Sequence, residues 1–205
     1  MKQQFIAMLS LQDKMNTKVH PDWRSQSFEW YRAIWTECAE LMDHHGWKWW
    51  KKQTPDTAQI HLEIVDIWHF GLSMLLMQET NIEQLAESLS EQWTEHSHTT
   101  DFLQSVEQLA SHVLSEHRFS IPLFCQLMTL SDLTFDQLHR QYVGKNVLNF
   151  FRQDHGYKDG TYHKLWHGKE DNTHLAELLD QLNAKDPDFD AQLYAALSER
   201  YPVLA

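Results

Sequence analysis

Residues 58–77 read Ala-Gln-Ile-His-Leu-Glu-Ile-Val-Asp-Ile-Trp-His-Phe-Gly-Leu-Ser-Met-Leu-Leu-Met. Glu63 and Asp66 are the only formal charges in this stretch. A helix that is apolar nearly all round is a buried helix, so the segment predicts a central helix, starting at Pro55-Asp56 and running to about Gln78. At i and i+3 the two carboxylates share one face of it. Burying them unpartnered costs several kcal/mol, so they need cations, either metal ions or Lys/Arg side chains.

Working outward, the apolar residues recur mostly at helical spacing. Phe5, Met8, Leu9 and Leu11 predict a first helix over about 3–16, broken at His20-Pro21-Asp22. Phe28, Tyr31, Ile34, Trp35, Cys38, Leu41 and Met42 predict a second over about 25–45, which Gly46 can end at positive φ. After the central helix, further helices are expected over about 81–96, 99–117, 121–130, 134–154, 173–184 and 188–200. Residues 47–52 form an aromatic and cationic loop, and 156–172 a loop rich in Gly, Tyr, Lys and Trp. No alternating strand pattern stands out, and the class is all-α. Residues 1–205 are expected to form a single domain. The stretch 81–135 carries no motif and is the candidate for a mobile helical sub-domain within it.

Composition narrows the function. Lys+Arg is 17 against Asp+Glu 29, a formal net charge of −12. So acidic a chain is a poor general binder of nucleic acid or anionic membrane, both being polyanions. No uncharged apolar run reaches about 18 residues, so no membrane span is expected. Nothing at Met1-Lys2-Gln3-Gln4 resembles a signal peptide, and the cytoplasm is the expected compartment. Two cysteines, Cys38 and Cys125, are too few for a disulfide scaffold or a zinc-thiolate site.

The helix before the central one carries a second acidic pair, Glu37 and Glu40, also at i,i+3. Antiparallel packing of the two helices would bring the pairs face to face, and such oxygen ligands suit hard divalent cations. Spacing alone means little: chance gives about four acidic i,i+3 pairs in this composition, and the sequence has four. The apolar context of Glu63 and Asp66 carries more. Lys145, Asn149 and Arg152 lie on one face of the late helix and lead into Gly156-Tyr157-Lys158-Asp159-Gly160-Thr161-Tyr162-His163-Lys164. Arg and Lys grip phosphate oxygens, and glycines allow close backbone approach; a solvated helix face followed by an ordinary loop gives the same pattern. Gln12 and Asn16, at i,i+4, offer the donor and acceptor that a uracil edge requires; surface amides are common, and by itself the pair reads more simply as ordinary solvated side chains. Trp49, His69 and Phe70 are rings able to stack on a base or to pack in a core.

Taken together, these blocks resemble the dimeric all-α dUTPases of the all-α NTP pyrophosphohydrolase superfamily, relatives of the MazG-type enzymes. The family's ExxE…ExxD pattern reads here Glu37-Cys-Ala-Glu40 and Glu63-Ile-Val-Asp66. More specific are Leu11-Gln12-Asp13-Lys14-Met15-Asn16, Trp47-Lys48-Trp49-Trp50-Lys51, and the run from Gly144 through Lys145, Asn149 and Arg152 to Gly156-Tyr157-Lys158. The likeness covers about 5–80 and 140–172.

The resemblance implies a helical bundle that hydrolyses dUTP to dUMP and pyrophosphate, and dUDP as well, as a homodimer. It implies that Glu37, Glu40, Glu63 and Asp66 hold two or three Mg²⁺ ions, with Glu37 and Glu40 as catalytic groups and Glu40 orienting or deprotonating the attacking water. Lys145, Arg152, Tyr157 and Lys164 would hold phosphates, and Asn149 the sugar or a phosphate. Gln12 and Asn16 would read the uracil, with Trp49, His69 and Phe70 lining base and sugar. Three rivals stand beside this: a pyrophosphohydrolase for another dNTP; a di-iron bundle using Asp66-x-x-His69 and Asp136-x-x-His139; and a non-enzymatic helical adaptor with Trp-rich faces.

Overall fold

The computed structural model describes residues 1–93, 101–183, 186 and 188–202. The described helices, in chain order, are α1 (Lys2–Val19), α2 (Trp30–His45), α3 (Thr57–Gln78), α4 (Ile82–Gln92), α5 (Phe102–Glu116), α6 (Ile121–Leu130), α7 (Phe135–Asp154), α8 (Asp171–Gln181) and α9 (Phe189–Arg200). The class is all-α, as the sequence predicts.

Local chemistry sets most of the helix starts. Asp56, Asn81, Asp101 and Ser120 each accept a hydrogen bond from the backbone N–H three residues on. Thr134 and Gln137 form a reciprocal capping box at the start of α7. Such caps contribute about 1 kcal/mol each by satisfying otherwise orphaned donors. Gly46 closes α2 at φ 90°, a conformation that costs a residue with a Cβ.

Several boundaries differ from those expected. The first helix runs on to Val19, and the second begins only at Trp30. Between them a 3-10 turn over Trp23–Ser25 tucks Trp23 into the core. The loop expected over 156–172 contains a two-stranded antiparallel hairpin, β1 (Leu165–Trp166) with β2 (Lys169–Glu170), turned by His167 and Gly168 at positive φ. Two residues per strand leave no alternation for a sequence to show. The expected stretches 94–96, 99–100 and 184 lie outside the described residues.

Two apolar clusters hold the helices. The first takes residues from α1 to α6 together with Leu138 and Tyr142 of α7. Leu85, Leu89, Val106, Leu109, Phe124 and Leu127, all from within 81–135, belong to it. The second joins Val147, Leu148 and Phe151 of α7 to Trp166 and to the inner faces of α8 and α9. Helix α7 therefore runs through both. Helix α3 is long and apolar enough to cross a membrane by length and composition, yet 72% of its most apolar window is buried inside the protein. At its centre Trp68, fully buried, stacks on Phe124 at 4.9 Å and meets Phe5, Trp93 and Phe119.

Trp68→Ala should cost about 3–5 kcal/mol, because the aromatic cluster cannot collapse onto the space vacated. Urea unfolding measures this, and a loss below about 1 kcal/mol would mean that α3 is not the central packing element.

Candidate active site

Helices α2 and α3 pack along each other and bring Glu37 against Glu63 and Asp66. One carboxylate oxygen from each lies within 4.8 Å of the others. The charge balance there is poor. Asp66 Oδ2 accepts from Lys145 Nζ at 2.7 Å. Among the described residues neither Glu37 nor Glu63 has a Lys or Arg ion-pair partner; His44 Nε2 approaches Glu63 at 3.4 Å. Burial, then the charges of Asp66, Glu63 and Glu40, push the Glu37 carboxyl up to about 8, and burial and Asp66 likewise raise Glu63. The two glutamates are hydrogen-bonded to each other. A cluster that must retain a proton to relieve its own repulsion is one into which a cation fits, and a set made only of oxygens suits a hard divalent ion.

Glu40 stands apart from the other three acids of the metal set that the resemblance implies. It is exposed on α2, outside the close group of ligand atoms, and acts on Glu37 and Glu63 through its charge.

Two of these acids, Glu37 and Asp66, border a cavity of about 360 Å³. Gln12, Asn16, Glu37, Asp66, His69, Phe70, Lys145, Asn149, Arg152 and Tyr157 all line it, so α1, α2, α3 and α7 each supply a wall. Most of the residues singled out in the sequence therefore converge. Glu63 belongs to the acid cluster without lining the cavity, Glu40 lies outside both, and Trp49 and Lys164 do not join them. Trp49 is 90% exposed on the loop after α2, its edge against Trp50, and Lys164 is exposed beside Glu170 at 3.6 Å.

Gln12 is held by four contacts. Its Nε2 donates to Asn16 Oδ1 and Ser73 Oγ, both at 3.0 Å. Its Oε1 faces His69 Nδ1 at 2.8 Å and the Tyr142 hydroxyl at 2.8 Å. The Tyr142 hydroxyl also lies 2.9 Å from the Met8 carbonyl, so its single hydrogen is shared. With an amide oxygen against it, Nδ1 of His69 carries the hydrogen and Nε2 keeps a lone pair. Burial pushes this imidazole down to about 3, and the ring is neutral at physiological pH. His69 Nε2 is buried without a hydrogen-bond partner, and so are His20 Nδ1 and Trp30 Nε1, all on residues lining the cavity. Buried polar atoms left open on a cavity wall are what a polar ligand satisfies.

Arg152 is bound to Asp171 through Nε at 2.8 Å and Nη2 at 2.9 Å, and to Asn149 through Nη1 at 3.2 Å. Asp171 stays well below the usual carboxylate range because Arg152 offsets the cost of its burial. Ser73, Tyr142, Asp171, His20 and Trp30 were not singled out in the sequence. The only trace of Ser73 was a polar residue at i+4 from His69 in an apolar helix; no pattern marked the others. Asp136, needed by the di-iron arrangement, instead accepts from Gln4 at 3.3 Å, and His139 lines a different cavity.

No curated protein matches the chain. The family model described as dUTPase matches residues 4–157, well over half of it and inclusive of all three acids, the amide network and both cavity cations. The chain therefore belongs to the all-α dUTPase family, and the reaction its site serves is hydrolysis of dUTP to dUMP.

Proposed function

We propose that the cavity takes dUTP together with Mg²⁺ ions, two or three per site, and releases dUMP and pyrophosphate, and that dUDP is cleaved to dUMP and phosphate. The observation that carries this is the placement of an under-compensated carboxylate cluster and two cations on the walls of one cavity. Glu37, Glu63 and Asp66 would hold the ions, with Glu40 within electrostatic reach. Bound there, the ions would lower the pKa of water and offset the triphosphate's charge of about −4.

The chain's own residues divide the remaining work. Glu40 orients or deprotonates the attacking water from the exposed side of α2. Lys145 and Arg152 meet the phosphate tail, with Tyr157 beside Arg152. His69 Nε2, an acceptor, receives the uracil N3–H, and Asn16, with one Nδ2 hydrogen uncommitted, donates to O4. Cytosine presents the opposite pattern at both atoms and would leave buried groups unpaired. Gln12, with every donor and acceptor engaged, reads the base only through His69. The working unit in this reading is the homodimer that the resemblance implies, and the setting is the cytoplasm expected from the sequence.

A panel of dNTPs with Mg²⁺, with and without chelator, followed by pyrophosphate release, tests this reading. dUTP should be preferred by at least about tenfold and chelation should abolish turnover; equal rates on another dNTP, or turnover untouched by chelator, would overturn it. Glu63→Gln should lower kcat/KM by at least about a hundredfold with the far-ultraviolet circular dichroism unchanged, because it removes a ligand and not a packing group. His69→Phe keeps the ring against Tyr142 but loses Nε2, and the preference for dUTP over dCTP should fall about tenfold or more.

The pH dependence has a definite sign. With Glu37 raised to about 8, this carboxyl's own contribution to the stability of the metal-free fold is complete below the ordinary carboxylate range and is lost as pH rises toward 8. Below 8 an incoming ion must displace a proton, so affinity for Mg²⁺ should rise about tenfold per pH unit and level off above it. Thermal unfolding with Mg²⁺ against chelator should show a larger gap at pH about 8.5 than at about 5.5; an equal gap would argue against the carboxylate cluster as the metal site.

A further inference from the structure

We propose that Asp171 and Asn172, the first two residues of α8, are positioning residues that hold Lys145 and Arg152 as a fixed pair of cations for the di- or triphosphate tail of the substrate. Both lie beyond the stretch that matches the family model. Asp171 is fully buried, and its carboxylate accepts from Arg152 Nε and Nη2, from the Tyr162 hydroxyl at 2.8 Å and from the Asn172 N–H at 2.8 Å. Asn172 Oδ1 accepts from Lys145 Nζ at 3.1 Å and from Arg152 Nη2 at 3.3 Å.

The donor inventory of the two cations is what points outward. Arg152 has five N–H groups; Asp171, Asn172 and Asn149 take four, leaving one on Nη1. Lys145 has three; Asp66 and Asn172 take two. One donor is left on each cation, and both residues line the cavity. A structural ion pair has no use for a second cation on the same acceptor, since the two repel. One amide oxygen holding both side by side gives a two-point grip on a polyanion, with the orientation fixed before binding. Packing does not require the charges here, because Leu175, Leu178, Leu179 and Trp166 already seat α8 against α7.

The experiment uses the full chain and two variants, Asp171→Asn and Asn172→Ala, with inorganic pyrophosphate as the calorimetric probe and dUTP as substrate. Positioning predicts that pyrophosphate affinity falls about tenfold in each variant and that KM for dUTP rises by a similar factor against a smaller change in kcat. A purely structural role predicts a lower melting temperature and less active protein, hence lower kcat, with KM and pyrophosphate affinity unchanged, and that result overturns the proposal. So does tighter pyrophosphate binding in Asp171→Asn, which would mean that the carboxylate damps the Arg152 charge instead of aiming it. The turnover measurement rests on the nucleotide reading above, and the calorimetry does not. If the unaltered chain binds pyrophosphate but leaves dUTP intact, the substrate reading fails while the affinities still decide the role of α8. If it binds no pyrophosphate at all, the proposal fails outright.

Discussion

Three carboxylates, one lysine and an apolar helix set the terms for the rest of the molecule. Glu37, Glu63 and Asp66 meet where α2 lies on α3, and among the described residues only Asp66 has a Lys or Arg ion-pair partner. In water this excess of negative charge would disperse. Here Ile60, Ile64, Val65 and Ile67, all buried on α3, keep the backbone of the site in the core. The repulsion is then relieved by a proton, by a divalent ion, or by distortion of α2 against α3. The packing of Trp68, Leu72 and Leu76 opposes distortion, which leaves the exchange of proton for ion as the cheapest response. The same rigidity that makes the cluster unfavourable when empty suits it, under the proposed function, to a compact, hard cation.

Helix α7 turns that local imbalance into a binding site. Its first half packs with the cluster built on α1–α6 and its second half with α8 and α9. Lys145 and Arg152 fall two turns apart along this beam and are buried because both sides of α7 are occupied. Neither cation is free to swing to the surface. One is held by Asp66 of the carboxylate cluster and the other by Asp171 of α8, so the positive wall of the cavity is tied to an acid at each end.

In the proposed reading, selectivity for the base rests on a different economy of hydrogen bonds. The Gln12 amide is saturated by Asn16, Ser73, His69 and Tyr142, and its role is to fix the tautomer of a neutral imidazole. A charged histidine beside Lys145 and Arg152 would bind a phosphate indiscriminately. Burial keeps His69 uncharged and leaves a directional acceptor in its place. The stacking of His69 on Tyr142 at 4.2 Å holds the ring plane as well as the tautomer.

The fold class was legible because helical periodicity is written in consecutive residues: the run from Ala58 to Met77, the caps at Asp56 and Thr134, and Gly46 are local signals with local causes. Candidates for the site were legible in part: the apolar run around Glu63 and Asp66, more than their spacing, marked the acids, and helix geometry puts Lys145, Asn149 and Arg152 on one face. What the tertiary structure decided is which of these residues share a wall. Glu37 faces inward while Glu40, one turn on, stays at the surface; Trp49 points away from the cavity; and Gln12 is spent on holding His69. Gln12 and Arg152 are held by Tyr142 and Asp171, which stand 130 and 19 residues away along the chain. The sequence determined an all-α chain with acids on a buried helix and cations on a late one. Only the folded chain determined how the charges are shared, because Coulomb and hydrogen-bond energies depend on distances through space that helical periodicity does not encode.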